Sequence, residues 1–221
     1  MNSKSIAAFF DFDETLLDVE SSRLGFRYLW QQRLVSFRFI LKVLVANFIY
    51  RHHWISDEKM ARILIKFYRN RNIKEFENGA ADFYRDHLKP HLAPNLVARV
   101  KKHRQEGHRL ILISGSVRYM LEPVVEDLGF DHLLCTDLEI GENGLLTGRA
   151  AGPVCLSRTK RHQAEKLACR ENLDLASSYA YGNHQSDLPL LELIGNPYVV
   201  EPTAPLRNKA VIRKWPILTY R

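Results

Sequence analysis

The sequence predicts an open α/β fold with a mostly parallel sheet, helices on both faces and an all-helical insertion after the first strand. The short apolar run Ser5–Phe10 ends abruptly at acidic residues, as a buried strand does. Residues 21–88 contain no proline and only two glycines, and their apolar residues recur at helical spacing. After Pro90, strand-like and helix-like segments alternate, which is the pattern of parallel α/β sheets.

The elements follow in order along the chain. The insertion is expected to break near Arg51–Ser56 and near Arg69–Ile73, and Glu142-Asn143-Gly144 is typical of a hairpin turn between short strands. The remaining predicted helices are Asn95–Gly107, Val117–Leu128, Thr159–Asn172 and Leu188–Ile194, and the remaining predicted strands are Arg109–Ile113, His132–Cys135, Ser178–Tyr181 and Tyr198–Val200.

Composition limits the function classes. The 221 residues, 46% of them apolar, suffice for a buried core and a smaller accessory unit. A net charge of +7 favours anionic partners, namely phosphorylated small molecules, nucleic acid or anionic lipid. No nucleic-acid motif accompanies the charge, so nucleic acid is the least supported of the three. Three irregularly spaced cysteines indicate reduced thiols and no zinc or redox pair.

Two apolar stretches bear on localisation. Ile6–Phe10 is too short for the apolar region of a secretory signal. Leu34–Tyr50 carries Arg38 and Lys42 and falls short of the roughly 20 apolar residues of a spanning helix. The sequence therefore predicts a cytoplasmic protein, with peripheral contact at the inner face of the membrane as an alternative.

Polar residues follow three of the predicted strands. They are Asp11-Phe12-Asp13-Glu14-Thr15, Ser114-Gly115-Ser116 and Gly182-Asn183-His184-Gln185-Ser186-Asp187, while Lys160 begins a helix between the last two. Function in open α/β sheets gathers beyond the carboxyl ends of the strands. Two carboxylates two residues apart suit phosphoryl transfer, because one can act as a nucleophile while the other handles protons. A phosphate dianion repels carboxylates, so Mg²⁺ and a lysine are expected beside them.

These segments resemble the haloacid dehalogenase superfamily, and within it subfamily IB, the phosphoserine-phosphatase-like branch. The resemblance rests on FFDFDETL, LILISGS, the lysine of SRTKRHQAEKLA, and YAYGNHQSDLPLLELIG. It implies a Rossmann-like, doubly wound core of residues 1–18 and 89–221, with a helical cap of residues 19–88. It further implies that Asp11 is the nucleophile and that Asp13 donates and accepts the proton. The phosphate contacts would come from Thr15, Ser114, Gly115 and Lys160. The ligands of Mg²⁺ would be Asp11, the Asp13 backbone carbonyl, Asn183 and Asp187.

The chain departs from the family at Asn183, where an aspartate is usual. An amide oxygen still ligates Mg²⁺, but one negative charge is missing, so Asp187 becomes the more important carboxylate. We therefore predict weaker Mg²⁺ affinity than is usual.

Glu20 follows Asp11 by nine residues, the spacing at which phosphoserine-specific relatives place a glutamate that holds the substrate amine. The alternative for Glu20 is a residue that favours the N-terminus of a helix.

Phe37–Tyr50 leaves two interpretations open. On a helix, Arg38, Lys42 and Ala46 share one narrow stripe and apolar residues cover the rest. Such a helix is either buried in the cap or lies on an anionic membrane surface, and the nearby aromatic residues Phe26, Tyr28, Trp30 and Trp54 favour the membrane.

Three functions compete. The first is a phosphomonoester phosphatase acting on a small phosphorylated metabolite or a lipid headgroup. The second is phosphoserine phosphatase proper, which Glu20 favours, although the cap is larger and more apolar than that substrate needs. The third is a relative with weak catalysis that binds anions or membranes, and Asn183 is the feature in its favour.

Overall fold

A six-stranded parallel sheet forms the centre of the protein. The computed structural model describes residues 4–52 and 54–221. The strands are β1 Ala7–Phe10, β2 Arg109–Val117, β3 His132–Thr136, β4 Leu138–Ile140, β5 Leu146–Ala150, β6 Tyr179–Gly182, β7 Asn196–Val200 and β8 Ile217–Leu218. The sheet has the order β3-β2-β1-β6-β7-β8, and β4 and β5 form a separate antiparallel hairpin.

Helices lie in the insertion and on the sheet. Those of the insertion are α1 Ser21–Gln31, α2 Phe37–Arg51, α3 Asp57–Ile65 and α4 Lys74–Phe83. Those of the core are α5 Pro94–Gln105, α6 Arg118–Leu128, α7 Arg158–Glu171, α8 Leu188–Leu191 and α9 Ala204–Ile212. The predicted α/β fold with an inserted helical cap is confirmed.

Strand β1 is buried on both faces. Phe10 belongs to the cluster that contains Leu96 of α5 and Leu121 of α6. Phe9 belongs to the cluster on the opposite face, which contains Ala164 of α7. Successive side chains of a strand point to opposite faces, so an uninterrupted apolar run fits a central strand covered by helices on both sides.

The order in which the chain adds strands to the sheet reverses at β1. Phe10 is in register with Leu112 of β2 on one side and with Tyr181 of β6 on the other. The chain builds outward from β1 through β2 and β3, and then returns to the opposite side with β6. Such a switch point leaves a crevice at the carboxyl ends of the strands, and Asp11 follows β1 there.

The cap has its own small apolar cluster. Leu29, Phe67 and Phe76 of the insertion pack with Leu146 of β5. The β4–β5 hairpin thus reaches the cap, and the backbone of Leu146 exchanges hydrogen bonds of 2.8 Å with residues 70 and 71. This contact was not predicted. The domain limits 1–18, 19–88 and 89–221 stay a prediction.

Several predicted bounds need correction. The cap helices break at residues 52–56 and at 69–73, as predicted, although residue 53 lies outside the described part. A third break, at residues 32–36, was not predicted. The predicted helix Leu188–Ile194 ends at Leu191. Beyond it, Leu193 donates to the Leu190 carbonyl at 3.0 Å in a turn, and Gly195 donates to the Leu175 carbonyl at 3.0 Å. Helix α9 and strand β8 were not predicted.

Helix α2 is only half covered. Its inner face includes the buried Ala46, and Phe39 contacts Phe67 of the cap. Its outer face is exposed, so the interpretation of α2 as a helix buried in the cap is correct for the inner face only. The exposed apolar side chains of that face are Phe37, Leu41, Leu44, Val45 and Phe48. Within residues 4–52 and 54–221, no helix is long and apolar enough to cross a membrane.

Candidate active site

Asp11 lies at the carboxyl end of β1 and is only 6% exposed. Its backbone N–H donates to the Tyr181 carbonyl at 3.0 Å, which fixes it to β6. Its Oδ1 lies 2.5 Å from Lys160 Nζ, and its Oδ2 accepts a hydrogen bond of 3.2 Å from Thr15 Oγ1. Burial, followed by the neighbouring Asp187, raises the pKa of Asp11 to about 7, and Lys160 opposes that rise. Asp11 is therefore a buried carboxylate that depends on nearby positive charge.

Lys160 supplies that charge. It lies in the first turn of α7, is 2% exposed, and its Nζ is 2.6 Å from Asp187 Oδ1 as well as 2.5 Å from Asp11. Burial works to lower the pKa of Lys160, but the two carboxylates outweigh it and raise that pKa. The lysine is thus not part of a solvated face, although its neighbours Arg158 and Arg161 are exposed.

Asp187 organises the loop after β6. Its Oδ2 accepts hydrogen bonds from the backbone N–H groups of Asn183 at 3.1 Å and His184 at 3.0 Å. A Cβ at Gly182 would lie 2.7 Å from the Asp187 Cβ, so this close approach requires glycine. Both oxygens of Asp187 are engaged, one by Lys160 and one by the loop. Metal ligation by Asp187 stays a prediction.

The Asp13 carboxylate is held from two sides. Its Oδ1 accepts a hydrogen bond of 2.6 Å from the backbone N–H of Ser21, the first residue of α1. Its Oδ2 accepts one of 2.7 Å from Ser116 Oγ. The helix N-terminus favours a negative charge there. The sequence predicted roles for Ser114 and Gly115 but none for Ser116, although all three follow the predicted strand Arg109–Ile113.

Ser114 and Gly115 shape the end of β2. Ser114 is 1% exposed, and its Oγ accepts a hydrogen bond of 3.1 Å from the backbone N–H of Ser116. A Cβ at Gly115 would lie 2.7 Å from the Leu156 side chain. A side chain at this position would therefore force the Leu156 side chain to move.

Asn183 and Glu14 form a pair that the sequence did not predict. Asn183 Nδ2 donates to Glu14 Oε2 at 3.3 Å. Glu14 adopts a left-handed backbone conformation, with φ of 51°, and its carbonyl accepts a hydrogen bond of 2.9 Å from the Tyr220 hydroxyl. A carboxylate thus lies beside the position where an aspartate was expected. The signal was present, because Glu14 is a third acidic residue in the loop.

Glu20 precedes α1 but makes no side-chain capping hydrogen bond. It lines the same cleft as Asp11. Partial removal from water, followed by repulsion from Asp13 and Glu14, raises its pKa. Glu20 therefore stands directly before the N-terminus of α1, where a negative charge is favourable, and it also lines the cleft, so both interpretations of Glu20 stay predictions.

These side chains surround one cleft of about 200 Å³, which we call the polar cleft. Thr15 and Asp187 lie behind its wall, bonded to Asp11 and Lys160. Among its described lining residues, carboxylates clearly outnumber lysine. The charged and polar lining comprises Asp11, Asp13, Glu14, Ser114, Ser116, Lys160, Asn183, His184 and Ser186, to which the insertion adds Glu20, Ser22, Tyr50 and Asp57.

The sequence profile of the haloacid dehalogenase-like hydrolases matches residues 8–192. The chain belongs to this family. It is therefore a hydrolase of the haloacid dehalogenase superfamily, and the match covers both the cap and most of the core.

Several named proteins are similar to this chain over almost its whole length. The "inhibition of morphological differentiation protein" of Streptomyces azureus is 30% identical, across 97% of this chain and 78% of the relative. A histidinol-phosphatase of Neisseria meningitidis is 26% identical, across 97% of this chain and 98% of the relative. A phosphoserine phosphatase of Mycobacterium tuberculosis is 28% identical, across 97% of this chain and 71% of the relative.

Solved structures share the fold. A protein of unknown function from Bordetella pertussis Tohama I superposes with a TM-score of 0.87 at 24% identity, covering 99% of this chain and 100% of that one. A substrate-bound phosphoserine phosphatase gives a TM-score of 0.70 at 19% identity, covering 100% and 95%. The chain thus shares its fold with a phosphoserine phosphatase.

Proposed function

We propose that the chain is a Mg²⁺-dependent phosphomonoester phosphatase that works through an aspartyl-phosphate on Asp11. The observation that carries the proposal is the arrangement of two carboxylates that line the same cleft. Asp11 is buried against Lys160, and Asp13 is held by Ser116. The relatives named as phosphatases support the same reaction class.

The reaction divides between these carboxylates. A carboxylate oxygen of Asp11 attacks phosphorus, a P–O bond to Asp11 forms, and the P–O bond to the leaving alcohol breaks. Protonated Asp13 gives its proton to that alcohol oxygen. Asp13 then accepts a proton from water, the water oxygen bonds to phosphorus, and the bond to Asp11 breaks to release inorganic phosphate. Lys160 and the hydroxyl of Ser114 are proposed to hold phosphoryl oxygens, together with Thr15 and the backbone of Gly115.

The donor atoms of the polar cleft fit Mg²⁺. The ion takes oxygen ligands, and the Asp11 carboxylate, the Asp13 backbone carbonyl and the Asn183 amide oxygen are all of that kind. The hydrogen bond from Asn183 Nδ2 to Glu14 uses the nitrogen of the amide and leaves its oxygen for a ligand. When bound, Mg²⁺ would neutralise charge on the phosphate. The excess of carboxylates in the cleft supports a cation, because a phosphate dianion would otherwise be repelled.

Hydrolysis of an aryl phosphate tests the proposal. We expect turnover of p-nitrophenyl phosphate that requires Mg²⁺ and is lost on chelation and in Asp11→Asn. Absence of turnover with any phosphate ester would contradict it and favour an anion-binding relative without catalysis. Phosphoserine phosphatase proper is the second candidate, which the position of Glu20 in the cleft supports. In that case O-phosphoserine should be the best substrate, and Glu20→Gln should raise its KM.

Peripheral contact with an anionic membrane is a further part of the proposal. The outer face of α2 exposes Phe37 and Phe48, the basic side chains of Arg38 and Lys42 are exposed on the same helix, and Trp54 beyond its end is 74% exposed. Apolar side chains with basic neighbours are the pattern of helices that lie in a membrane interface. Tyr50, in the last turn of α2, lines the polar cleft, so the same helix links this face to the site.

Vesicle flotation tests this contact. We expect the protein to float with vesicles rich in phosphatidylglycerol and not with phosphatidylcholine vesicles, and Arg38→Glu/Lys42→Glu should abolish flotation. Lys101→Glu/Lys166→Glu is the matched control, since it makes the same charge change at exposed positions outside the cap. Failure of the wild-type protein to float, or equal loss in the control, would remove the membrane proposal.

A further inference from the structure

A second cavity lies between the cap and the core, and it differs from the polar cleft in its walls. It has a volume of about 250 Å³ and lies between α1, α3, α4 and the start of α6. Its walls are mainly aromatic and aliphatic. They include Phe26, Leu29, Leu64, Phe76, Phe83 and Met120. We call it the apolar cavity.

The apolar cavity meets the polar cleft. Ser22, Ala61, Gly115 and Ser116 line both spaces. Ser116 is the residue that donates to Asp13, so the junction lies next to the group proposed to protonate the leaving alcohol. A substrate whose phosphate occupies the cleft would therefore direct its alcohol toward the cavity.

Two glycines leave the cavity open. Gly25 and Gly79 lie inside α1 and α4, where glycine destabilises a helix relative to alanine, and both line the cavity. A Cβ at Gly25 would have Phe83 as its nearest neighbour at 3.9 Å, and one at Gly79 would have the Tyr28 hydroxyl at 3.6 Å. Packing therefore does not require glycine at either position. The missing side chains enlarge the space.

Polar groups in the cavity are few and partly satisfied. The hydroxyls of Tyr68 and Tyr119 lie 2.9 Å apart and bond to each other. Gln32 and Glu75 are exposed side chains. A charged amino-acid group placed against the aromatic and aliphatic walls would lose its hydration, whereas an apolar group would gain from leaving water.

We propose that the apolar cavity binds an apolar group on the leaving alcohol, so that the preferred substrates are phosphomonoesters of alkyl or aryl alcohols. The inference rests on the proposed phosphatase function and names its substrate class. An apolar cavity of about 150 Å³ already accommodates benzene, so the volume here is sufficient for a larger group.

A chain-length series tests the proposal in the wild-type protein. Ethyl, butyl, hexyl and octyl phosphate are compared with O-phosphoserine by release of inorganic phosphate. We expect kcat/KM to rise by up to about fourfold per methylene until the cavity is filled, and O-phosphoserine to rank with ethyl phosphate. A flat series, or a preference for O-phosphoserine, would overturn the inference.

A cavity-filling variant adds a second readout. Gly79→Leu should lower the ratio of octyl to ethyl phosphate kcat/KM at least tenfold. Glu77→Leu is the matched control, because it introduces the same side chain on the exposed face of α4. An unchanged ratio in Gly79→Leu would contradict the proposal.

Binding separates this inference from the proposed function. Calorimetric titration of Asp11→Asn with the same alkyl phosphates needs no turnover. If no ester is hydrolysed but affinity rises with chain length, the phosphatase proposal fails and the apolar site stands. If esters are hydrolysed but neither affinity nor kcat/KM depends on chain length, the apolar site fails and the phosphatase stands.

Discussion

The polar cleft and the apolar cavity share Ser22 and Ser116, yet they are built in opposite ways. In the cleft, charged side chains are buried and tied to one another, with Lys160 within 2.6 Å of two carboxylates. In the cavity, apolar side chains line open space, and two helix glycines enlarge it. Fixed charges stabilise a defined transition state, whereas an apolar space selects by size and hydration. The difference suggests that the core determines the reaction and the cap determines the alcohol.

The largest effect is expected from removal of the buried cation. Lys160→Met leaves Asp11 and Asp187 side by side without positive charge. We expect kcat/KM to fall about 100- to 1,000-fold, and the free energy of unfolding to fall by about 3–5 kcal/mol, as for other broken buried ion pairs. Steady-state kinetics and urea denaturation at neutral pH measure the two effects. Lys166→Met, at an exposed position of the same helix, should change neither. Near-normal activity in Lys160→Met would show that the lysine does not serve the reaction.

Ser116 lines both the polar cleft and the apolar cavity, so its substitution tests whether the two act separately. Ser116→Ala removes the hydrogen bond to Asp13 Oδ2. We expect kcat/KM to fall by about 10- to 100-fold, the effect of losing a hydrogen bond to a charged group. Ser116→Thr keeps the hydroxyl and should restore most of the loss. The ratio of octyl to ethyl phosphate kcat/KM should stay constant in both variants. A changed ratio would mean that cleft and cavity do not act separately.

A smaller effect is expected at the metal-site pair. Asn183→Asp adds a negative charge and should tighten Mg²⁺ binding by about tenfold, while Glu14→Gln removes one and should weaken it. The double variant should return close to the wild-type affinity if Glu14 compensates for the missing aspartate. Calorimetric titration with Mg²⁺ alone measures each affinity without any turnover. Unchanged or weaker binding in Asn183→Asp would contradict the placement of Asn183 at the metal.

The sequence predicted the polar cleft better than the cavity for a physical reason. Asp11 and Asn183 each follow a parallel strand, Ser114 lies in the last part of β2, and the carboxyl ends of such strands must meet at one edge of the sheet. Their proximity was therefore predictable from element order alone. The bond between Ser116 and Asp13 depends on side-chain directions, which neighbouring positions in the sequence do not determine.

The cap was predictable as helical but not in its arrangement. Apolar periodicity located its helices, yet it could not tell which apolar face packs and which stays exposed, as α2 shows. The cavity arises where α1, α3, α4 and α6 meet, so it depends on long-range packing. Gly25 and Gly79 were the available signal, because glycines inside helices indicate either close contact or open space.

The smallest effect concerns the contact that joins the cap to the core. Tyr68 of the cap and Tyr119 of α6 share a hydrogen bond of 2.9 Å in the cavity wall. Tyr68→Phe should lower the free energy of unfolding by about 1–2 kcal/mol, because the Tyr119 hydroxyl loses its partner. Tyr68→Phe/Tyr119→Phe should recover most of that loss, since no buried hydroxyl remains. Urea denaturation of the wild type, both single variants and the double variant measures the coupling.

Burial raises the pKa of Tyr68 to about 12, so both hydroxyls stay protonated and the coupling should be constant between about pH 6 and 9. Additive losses would show that the hydroxyl pair does not stabilise the cap against the core.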